Sequence, residues 1–350
     1  MSALKHIPAL DGIRAFAVLL VILFHAKAPF MKAGYLGVDA FFVLSGFIIT
    51  TLLLREFDAK GTINFLHFYI RRLLRLYPAL LLLLALVLGC FWLVLGKPPT
   101  EVRGFYRDAF FAATYLSDFA LHFEWMSRAS ALMHTWSLSV EEHYYIIWPF
   151  VLLMLARHVP RPRLAKTLGA IFLLSLAWKM AACVYFDAAL AYRFDLRVSG
   201  LLLGGWLAAY RHGGGKIAEY KALLAASFIL FLACLFTDWP RVSWTFVLGV
   251  SVTEIFTCFL IYAVVEEGQS RAAKFLGGAV PVYLGKISYG MYLFHYPIAV
   301  YVSLGNDWRV TFVVSYFLAL AVASASYFAV ERPALALAKK YRESRMQAAD

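Results

Sequence analysis

The chain has 350 residues, of which 62% are hydrophobic and 15% are charged, and its formal net charge is +12. Soluble globular domains use about 45–50% apolar and about 25% charged residues, so this composition excludes an ordinary soluble enzyme or binding domain. The positive charge lies mainly in short segments between apolar runs, which is typical of membrane topology rather than of nucleic-acid binding.

Apolar runs of about 20 residues, long enough to cross a bilayer, recur along the whole chain. They lack the alternation of barrel strands, so the sequence predicts an all-α, polytopic membrane protein with about ten transmembrane helices. The predicted spans are 11–27, 35–54, 74–95, 139–156, 167–186, 195–210, 221–236, 243–265, 283–303 and 309–330. Most Lys and Arg residues fall on the inner side if both termini are cytoplasmic, which is the orientation that the positive-inside rule favours.

These spans are expected to form a single integral-membrane domain over residues 1–350, surrounded by membrane lipids. Residues 96–138 form the long outer-face segment, and their aromatic and charged residues predict partly helical structure at the outer leaflet. Residues 331–350 are expected to form a basic cytoplasmic tail.

The first span contains three ionisable residues, Asp11, Arg14 and His25, although a charge at a helix centre costs roughly 2.5–3.5 kcal/mol on insertion. The spacing of Arg14 and His25 returns a helix to within about 20° of the same face and separates them by about 16 Å along the axis. Asp11 can pair with Arg14 at the i,i+3 spacing. The pattern favours a stripe that faces the protein interior or a water-filled channel. Snorkelling of Arg14 to the inner headgroups is the alternative.

Arg71, Arg72 and Arg75 cluster where the third predicted span begins at the inner face. Their spacing favours a role as topological anchors. Three guanidinium groups on adjacent turns would also suit a polyphosphate ligand, because Arg binds phosphate in a bidentate manner.

His134, Glu141 and Glu142 lie where the fourth predicted span begins at the outer face. One interpretation is an interfacial helix start, with acidic residues in the first turn and Trp and Tyr in the aromatic belt. The other is a carboxylate that orients or charges an imidazole, as general base catalysis requires. In the ninth span, His295 is nearly aligned with Ser288, and the favoured interpretation is an interior histidine hydrogen-bonded to a tyrosine.

Six segments together resemble acyltransferase family 3, a family of membrane O-acyltransferases. The segments are LDGIRA at 10–15 followed by His25, GYLGVDAFFVLSGF at 34–47, RRLLRLYP at 71–78, HTWSLSVEEHYY at 134–145, ISYGMYLFH at 287–295 and ERP at 331–333. They occur in the order of the family and cover nearly the whole chain.

The resemblance implies transfer of an acyl group, commonly acetyl, from a cytoplasmic thioester donor to a hydroxyl, usually of a sugar, at the outer face. It implies that His25 is the catalytic residue, with Arg14 as its companion and Glu141 as the carboxylate. The family often has a non-acidic residue at the position of Glu142, so the resemblance favours Glu141 over Glu142 as the carboxylate. It typically has Gln at the position of His143, so no role is assigned to His143.

The other motif residues have less direct expected roles. The contacts of the donor's phosphates are expected to be Arg71, Arg72 and Arg75. The supporting residues are expected to be Asp11, Ser45, His134, His295 and Glu331.

The expected co-substrate is acetyl-CoA or another acyl-CoA, and no permanently bound cofactor, metal ion or nucleic acid is expected. The expected acceptor is a saccharide or glycolipid, such as lipopolysaccharide O-antigen or an exopolysaccharide, and the expected location is the bacterial inner membrane. Many family members append an extracytoplasmic domain. This chain is expected to be a stand-alone form, acting alone, as a homo-oligomer or with a separate envelope glycan-assembly partner.

A membrane transporter or flippase for an acyl donor or glycan precursor is the alternative function. Intramembrane Asp, Arg, His and Glu residues also form proton relays and substrate paths.

Overall fold

The structure is a computed structural model that describes residues 6–93, 99–185, 192–237 and 244–337, and these residues form helices and short turns without a strand. The helices are α1 (Pro8–His25), α2 (Gly37–Lys60), α3 (Phe65–Leu93), α4 (Pro99–Ala113), α5 (Ser117–His122), α6 (Trp136–His158), α7 (Arg161–Tyr185), α8 (Phe194–His212), α9 (Tyr220–Phe236), α10 (Trp244–Glu266), α11 (Arg271–Leu276), α12 (Ala279–Lys286), α13 (Ser288–Val302) and α14 (Trp308–Ser326). Two 3-10 turns, Gly34–Leu36 and Met133–Thr135, precede α2 and α6.

The described residues of every predicted span are mainly helical, so the all-α class is confirmed. Among the described residues, 6 helical segments are long and apolar enough to cross a membrane by length and composition. These segments are Pro8–His25, Gly34–Lys60, Phe65–Cys90, Arg161–Cys183, Phe246–Glu266 and Trp308–Leu337. The count of about ten spans and the cytoplasmic position of both termini stay predictions.

The helix at the third predicted span, 74–95, begins before the apolar run on which that prediction was based. Helix α3 begins at Phe65, because the side chain of Asn64 accepts a hydrogen bond from the backbone N–H of His67 at 2.9 Å, as an N-cap does. The arginine cluster at 71–75 therefore lies on helical turns inside α3 rather than in a loop before it.

The ninth predicted span, 283–303, is two helices rather than one. Helix α12 ends at Lys286 and α13 begins at Ser288, because Ile287 departs from helical geometry with φ −94° and ψ 4°. Lys286 and Ser288 interrupt the apolar residues at this point, but single polar residues also occur inside continuous spans, so the pattern alone does not identify a break.

The predicted tail begins as helix. A π-helical turn, Tyr327–Glu331, follows α14, and the helix continues to Leu337. Glu331 is buried, so it belongs to the packed structure rather than to a solvated tail. The rest of the predicted tail, 338–350, and the start of the predicted outer segment, through residue 98, lie outside the described residues. The described part of that outer segment includes α4 and α5, so it is partly helical as predicted.

The chain folds into two compact units, each built from two separate stretches. The first unit comprises Met1–Ile63 and Ser137–Lys286, and the second comprises Asn64–Trp136 and Ile287–Asp350. The expectation of one domain over residues 1–350 stays a prediction.

Helices α2 and α8 of the first unit pack with their backbones in contact. A Cβ atom added at Gly46 would lie 1.9 Å from the carbonyl oxygen of Leu201, and one at Gly204 would lie 2.0 Å from that of Val43. Both distances are far inside van der Waals contact. Glycine is therefore what permits this approach, as small residues do in membrane helix pairs.

The two helices run parallel. Asp39, near the start of α2, is paired with Arg197, near the start of α8. Further along, the Thr50 side chain lies beside Gly205. Residues later on α2 therefore meet residues later on α8, and the pair has a charged end and an apolar body.

Helix α1 of the first unit packs against α2 and against the short helices α11 and α12. A Cβ at Gly37 would lie 2.3 Å from the carbonyl oxygen of Ala17, so the start of α2 is pressed against the middle of α1. A Cβ at Gly285 would lie 1.9 Å from the carbonyl oxygen of Asp11. The first span is thus in close backbone contact with its neighbours at its start and at its middle.

In the second unit, α13 packs against α14 and against α3. A Cβ at Gly290 would lie 3.0 Å from the Ala323 side chain, which brings α13 and α14 close together. The Tyr289 hydroxyl donates to the carbonyl oxygen of Leu76 at 2.8 Å. This bond fixes α13 beside the arginine-bearing turns of α3.

Replacing Gly204 with Ala is expected to lower the free energy of unfolding by about 1–3 kcal/mol, because the new methyl group would meet the Val43 carbonyl. The measurement is thermal denaturation of detergent-solubilised protein. Gly89→Ala in α3 is the matched control. Among the described residues, no atom outside the backbone of α3 lies within 4 Å of its Cβ position, so this change is expected to be neutral or to stabilise by up to about 1 kcal/mol. Equal stability of the two variants would contradict the close α2–α8 contact.

Candidate active site

The predicted pair at the start of α1 is present. The Arg14 guanidinium donates to Asp11 Oδ1 at 3.0 Å, and the His6 Nε2 atom lies 2.6 Å from Asp11 Oδ2. Asp11 is buried, whereas Arg14 is partly buried. The carboxylate therefore fixes the direction of the Arg14 side chain. An arginine that only snorkels to the headgroups has no such partner to orient it.

His25 occupies the last turn of α1, where a Schellman motif ends the helix. The N–H of Ala28 bonds to the carbonyl of Leu23, and the N–H of Lys27 bonds to that of Phe24. Lys27 takes the left-handed conformation that this motif requires, with φ 62°. The backbone at His25 is consequently fixed on both sides. This fixes the direction in which the Cα–Cβ bond of the partly buried His25 side chain leaves the helix.

Ser45 and Glu141, which were predicted separately, are in direct contact. The Ser45 hydroxyl on α2 donates to Glu141 Oε1 on α6 at 2.6 Å. A short bond from a hydroxyl to a carboxylate holds that carboxylate in one orientation. The action of Glu141 on His25 stays a prediction.

In the second unit, the charge of Arg75 on α3 lies close enough to attract the carboxylate of Glu331, in the π-helical turn. The Ser326 hydroxyl donates to Glu331 Oε1 at 3.1 Å, which orients the carboxylate. Arg72 lies over the Phe68 ring at 5.8 Å, and Arg71 is exposed. The three arginines thus differ in environment, although they occupy adjacent turns of α3.

His134 and His295, both buried, lie together in the second unit with ring centroids 6.1 Å apart. His134 Nε2 donates to the carbonyl oxygen of Leu293 at 3.0 Å, and His295 Nδ1 donates to that of Tyr292 at 2.7 Å. Carbonyl oxygens only accept, so these nitrogens bear protons in the neutral rings. The Tyr292 hydroxyl donates to the His134 carbonyl at 2.9 Å, which joins the histidine-bearing segments.

The first unit also contains buried charges that the sequence analysis left without roles. Lys179 of α7 lies 3.1 Å from Glu254 Oε1 of α10, and the Ser199 hydroxyl donates to the same oxygen at 2.6 Å. Arg197 lies 3.3 Å from Asp39 Oδ1, with both residues almost fully buried. The sequence signal that could have identified these buried charges was the charged residue inside each apolar run.

Removal of Glu254 is expected to destabilise the protein strongly, because it leaves the Lys179 charge buried. Glu254→Ala should lower the free energy of unfolding by about 3–5 kcal/mol, whereas Lys179→Met/Glu254→Leu should recover most of that loss. Thermal denaturation in detergent would measure both variants. A double variant as unstable as Glu254→Ala would show that the buried charge is not the cause.

The structure therefore brings the predicted residues together as pairs. Asp11 with Arg14 and Ser45 with Glu141 lie in the first unit, together with His25. The other predicted residues lie in the second unit, and they are Arg71, Arg72, Arg75, His134, His295 and Glu331. A common donor cavity for Arg14 and the three arginines of α3 stays a prediction.

Comparisons with known proteins match nearly the whole chain, as the motifs do. A family model described as an acyltransferase domain matches residues 7–328. The O-acetyltransferase OatA of Staphylococcus aureus strain NCTC 8325 / PS 47 is 31% identical over 354 residues, covering 95% of this chain and 58% of the relative. OatA of strain COL has the same identity and coverage. The chain thus spans less than two thirds of the length of these relatives, and no solved structure matches it.

Proposed function

The chain belongs to the acyltransferase family whose domain matches residues 7–328, and from this premise we propose that it is a multi-pass membrane O-acyltransferase. The observation that carries the proposal is the layout of α1, with the Asp11–Arg14 pair in its first two turns and the capped His25 in its last. The relatives named as O-acetyltransferases favour acetyl as the transferred group.

In the proposed reaction, His25 acts as the general base. The acceptor hydroxyl oxygen attacks the thioester carbonyl carbon while a ring nitrogen of His25 takes the hydroxyl proton. The carbon–sulfur bond then breaks, and the thiolate of coenzyme A leaves and receives the proton. Glu141, oriented by Ser45, would hold the imidazole in the required direction. A covalent acyl-histidine intermediate is the alternative route for the same transfer.

The donor in this proposal is acyl-CoA from the cytoplasm. Its phosphates would be held by Arg71, Arg72 and Arg75, because guanidinium groups bind phosphate oxygens in pairs. Arg14, oriented by Asp11, would contact the donor deeper along α1.

The acceptor in this proposal is the hydroxyl of an extracytoplasmic saccharide or glycolipid, and the membrane is the bacterial inner membrane. His25 would meet the acceptor near the outer end of α1, as the predicted orientation requires. In this arrangement the protein could act alone, as a homo-oligomer or with an envelope glycan-assembly partner.

A transporter is the second candidate function, and the buried charges of the first unit are what favours it. Lys179, Glu254, Asp39 and Arg197 form two ion pairs among apolar helices, and such residues also occur in proton-coupled transporters. The family assignment favours the enzyme over this alternative.

Purified protein in liposomes with labelled acetyl-CoA would separate the two functions. An acyltransferase should release free coenzyme A thiol and label a saccharide acceptor, whereas a transporter should move label across the bilayer with the thioester intact. Absence of both thiol release and acceptor labelling in folded protein would contradict the proposal. Mass spectrometry of surface glycans from a deletion strain would then identify the acceptor by the acyl mass increment that disappears.

A further inference from the structure

Three aromatic rings connect the candidate base to a buried ion pair in the first unit. Phe24 contacts His25 with ring centroids 5.1 Å apart, and Tyr35 contacts Phe24 at 5.3 Å. Phe246 of α10 stacks on Tyr35 at 6.0 Å and 22°. We call Phe24, Tyr35 and Phe246 the aromatic ladder.

The far end of the ladder is held by charge. The Arg197 guanidinium lies over the Phe246 ring at 5.3 Å, a cation–π distance, and its Nη1 atom lies 3.3 Å from Asp39 Oδ1. Asp39 and Arg197 are 0% and 2% exposed, so little water screens the attraction between them. The Arg197 guanidinium group is therefore restrained both by the Asp39 carboxylate and by the Phe246 ring.

The backbone that carries Tyr35 has little freedom to move. A Cβ at Gly34 would lie 2.3 Å from the Leu20 carbonyl oxygen and 2.9 Å from the Phe24 Cβ, so the 3-10 turn is pressed against α1 one turn from His25. Asp39 follows on the first turn of α2, which packs on α8. A displacement of the ion pair would consequently be transmitted to the ring that contacts His25.

We propose that Asp39 and Arg197 are positioning residues for His25, acting through the aromatic ladder. The inference rests on the proposed function of His25 as general base. The ion pair would fix Phe246 and Tyr35, and these rings would hold Phe24 against one side of the imidazole. The buried pair then serves to hold the base in the direction that the acceptor hydroxyl requires, since misplacement of a catalytic group by about 1 Å can lower a rate about 10²-fold.

The test interrupts the ladder without leaving a charge unpaired. Phe246→Leu and Tyr35→Leu each remove one ring and keep the ion pair. Asp39→Asn/Arg197→Gln removes both charges together, because a single change would leave a buried charge and risk misfolding. Tyr35→Phe retains the ring and is the conservative variant. Phe231→Leu is the matched control, because Phe231 is buried like Phe246 and stacks on Phe256 at 4.8 Å outside the ladder.

Acyl transfer by the reconstituted full-length variants gives the first measurement. Tyr35→Leu, Phe246→Leu and the double variant should each lower kcat about 10–100-fold, with KM for donor and acceptor near wild type. Tyr35→Phe and Phe231→Leu should retain kcat within about threefold, well below that loss. Equal losses in Phe231→Leu and Phe246→Leu would overturn the proposal, as would full kcat in Tyr35→Leu.

A second measurement does not depend on activity. Diethyl pyrocarbonate modifies accessible histidine nitrogens, and mass spectrometry would give its rate at His25 in each folded variant. The ladder-breaking variants should change this rate severalfold, while Tyr35→Phe and Phe231→Leu should match wild type. Unchanged rates in all variants would overturn the proposal. Loss of the proposed function itself would appear differently, as full acyl transfer by His25→Ala or as no transfer by the wild type.

Discussion

His25→Ala is expected to lower the rate of acyl transfer by about 10²–10⁴-fold, which corresponds to about 3–5 kcal/mol of transition-state stabilisation. The reason is the loss of the group that takes the acceptor proton. Membrane insertion should stay near wild type, because the Schellman bonds that end α1 are made by backbone atoms. The measurement is acyl transfer by reconstituted protein, with donor binding measured on the same sample.

His25→Gln is the matched variant, because glutamine keeps hydrogen bonding but does not act as a base near neutral pH. Its activity should be as low as that of His25→Ala if the proposed role is correct, and near wild type if His25 is only structural. Glu141→Gln should fall between wild type and His25→Ala if the carboxylate only orients the ring. Substantial turnover by His25→Ala would assign the proton transfer to another group, with His134 or His295 as the next candidates.

Replacement of Arg71, Arg72 and Arg75 together by Gln is expected to weaken donor binding by about 10²-fold or more. Hydrogen bonds to charged groups contribute about 1.5–3 kcal/mol each, so the loss of only one of them accounts for about tenfold or more. Lys at the same positions should restore part of the affinity, since it keeps the charge without the bidentate geometry. Isothermal titration of the variants with acetyl-CoA would measure the effect.

A control with the same change in net charge separates a binding site from a general surface field. Arg163, Lys166 and Lys216 are exposed and lie on the predicted inner side, outside α3. Their joint replacement by Gln should leave donor affinity within a few-fold of wild type. At physiological salt the Debye screening length is about 8 Å, so exposed charges farther than this from the donor have little effect on its binding. An unchanged affinity in the α3 triple variant would contradict the assignment of these arginines to the donor.

The sequence was sufficient for the features that depend on local spacing. Apolar run length predicted helix at each span, and the i,i+3 spacing predicted the bond between Asp11 and Arg14. The family motifs placed Ser45 and Glu141 among the site residues, but their mutual contact joins residues of α2 and α6. Without the fold, no spacing rule identifies such a contact.

Long-range and irregular features were not available from the pattern. The break at Ile287 lies between the polar residues Lys286 and Ser288, but single polar residues also occur inside continuous spans and do not identify a break. The partnership of Asp39 with Arg197 depends on the parallel packing of α2 and α8, which requires glycine at two close approaches. A single charge inside an apolar run indicated that a partner must exist, but only the fold identifies which one.

The enclosure of α1 by α12 has a consequence for biogenesis. Gly285 packs on the Asp11 carbonyl, so α1 leaves the ribosome long before this neighbour, which lies near the end of the first unit's sequence. At about 5–20 residues per second, synthesis leaves α1 in the bilayer for tens of seconds before α12 emerges. During that interval the bond between Asp11 and Arg14 can already form, because both residues lie on one turn. This local neutralisation is expected to lower the cost of holding the first span in lipid until its partners arrive.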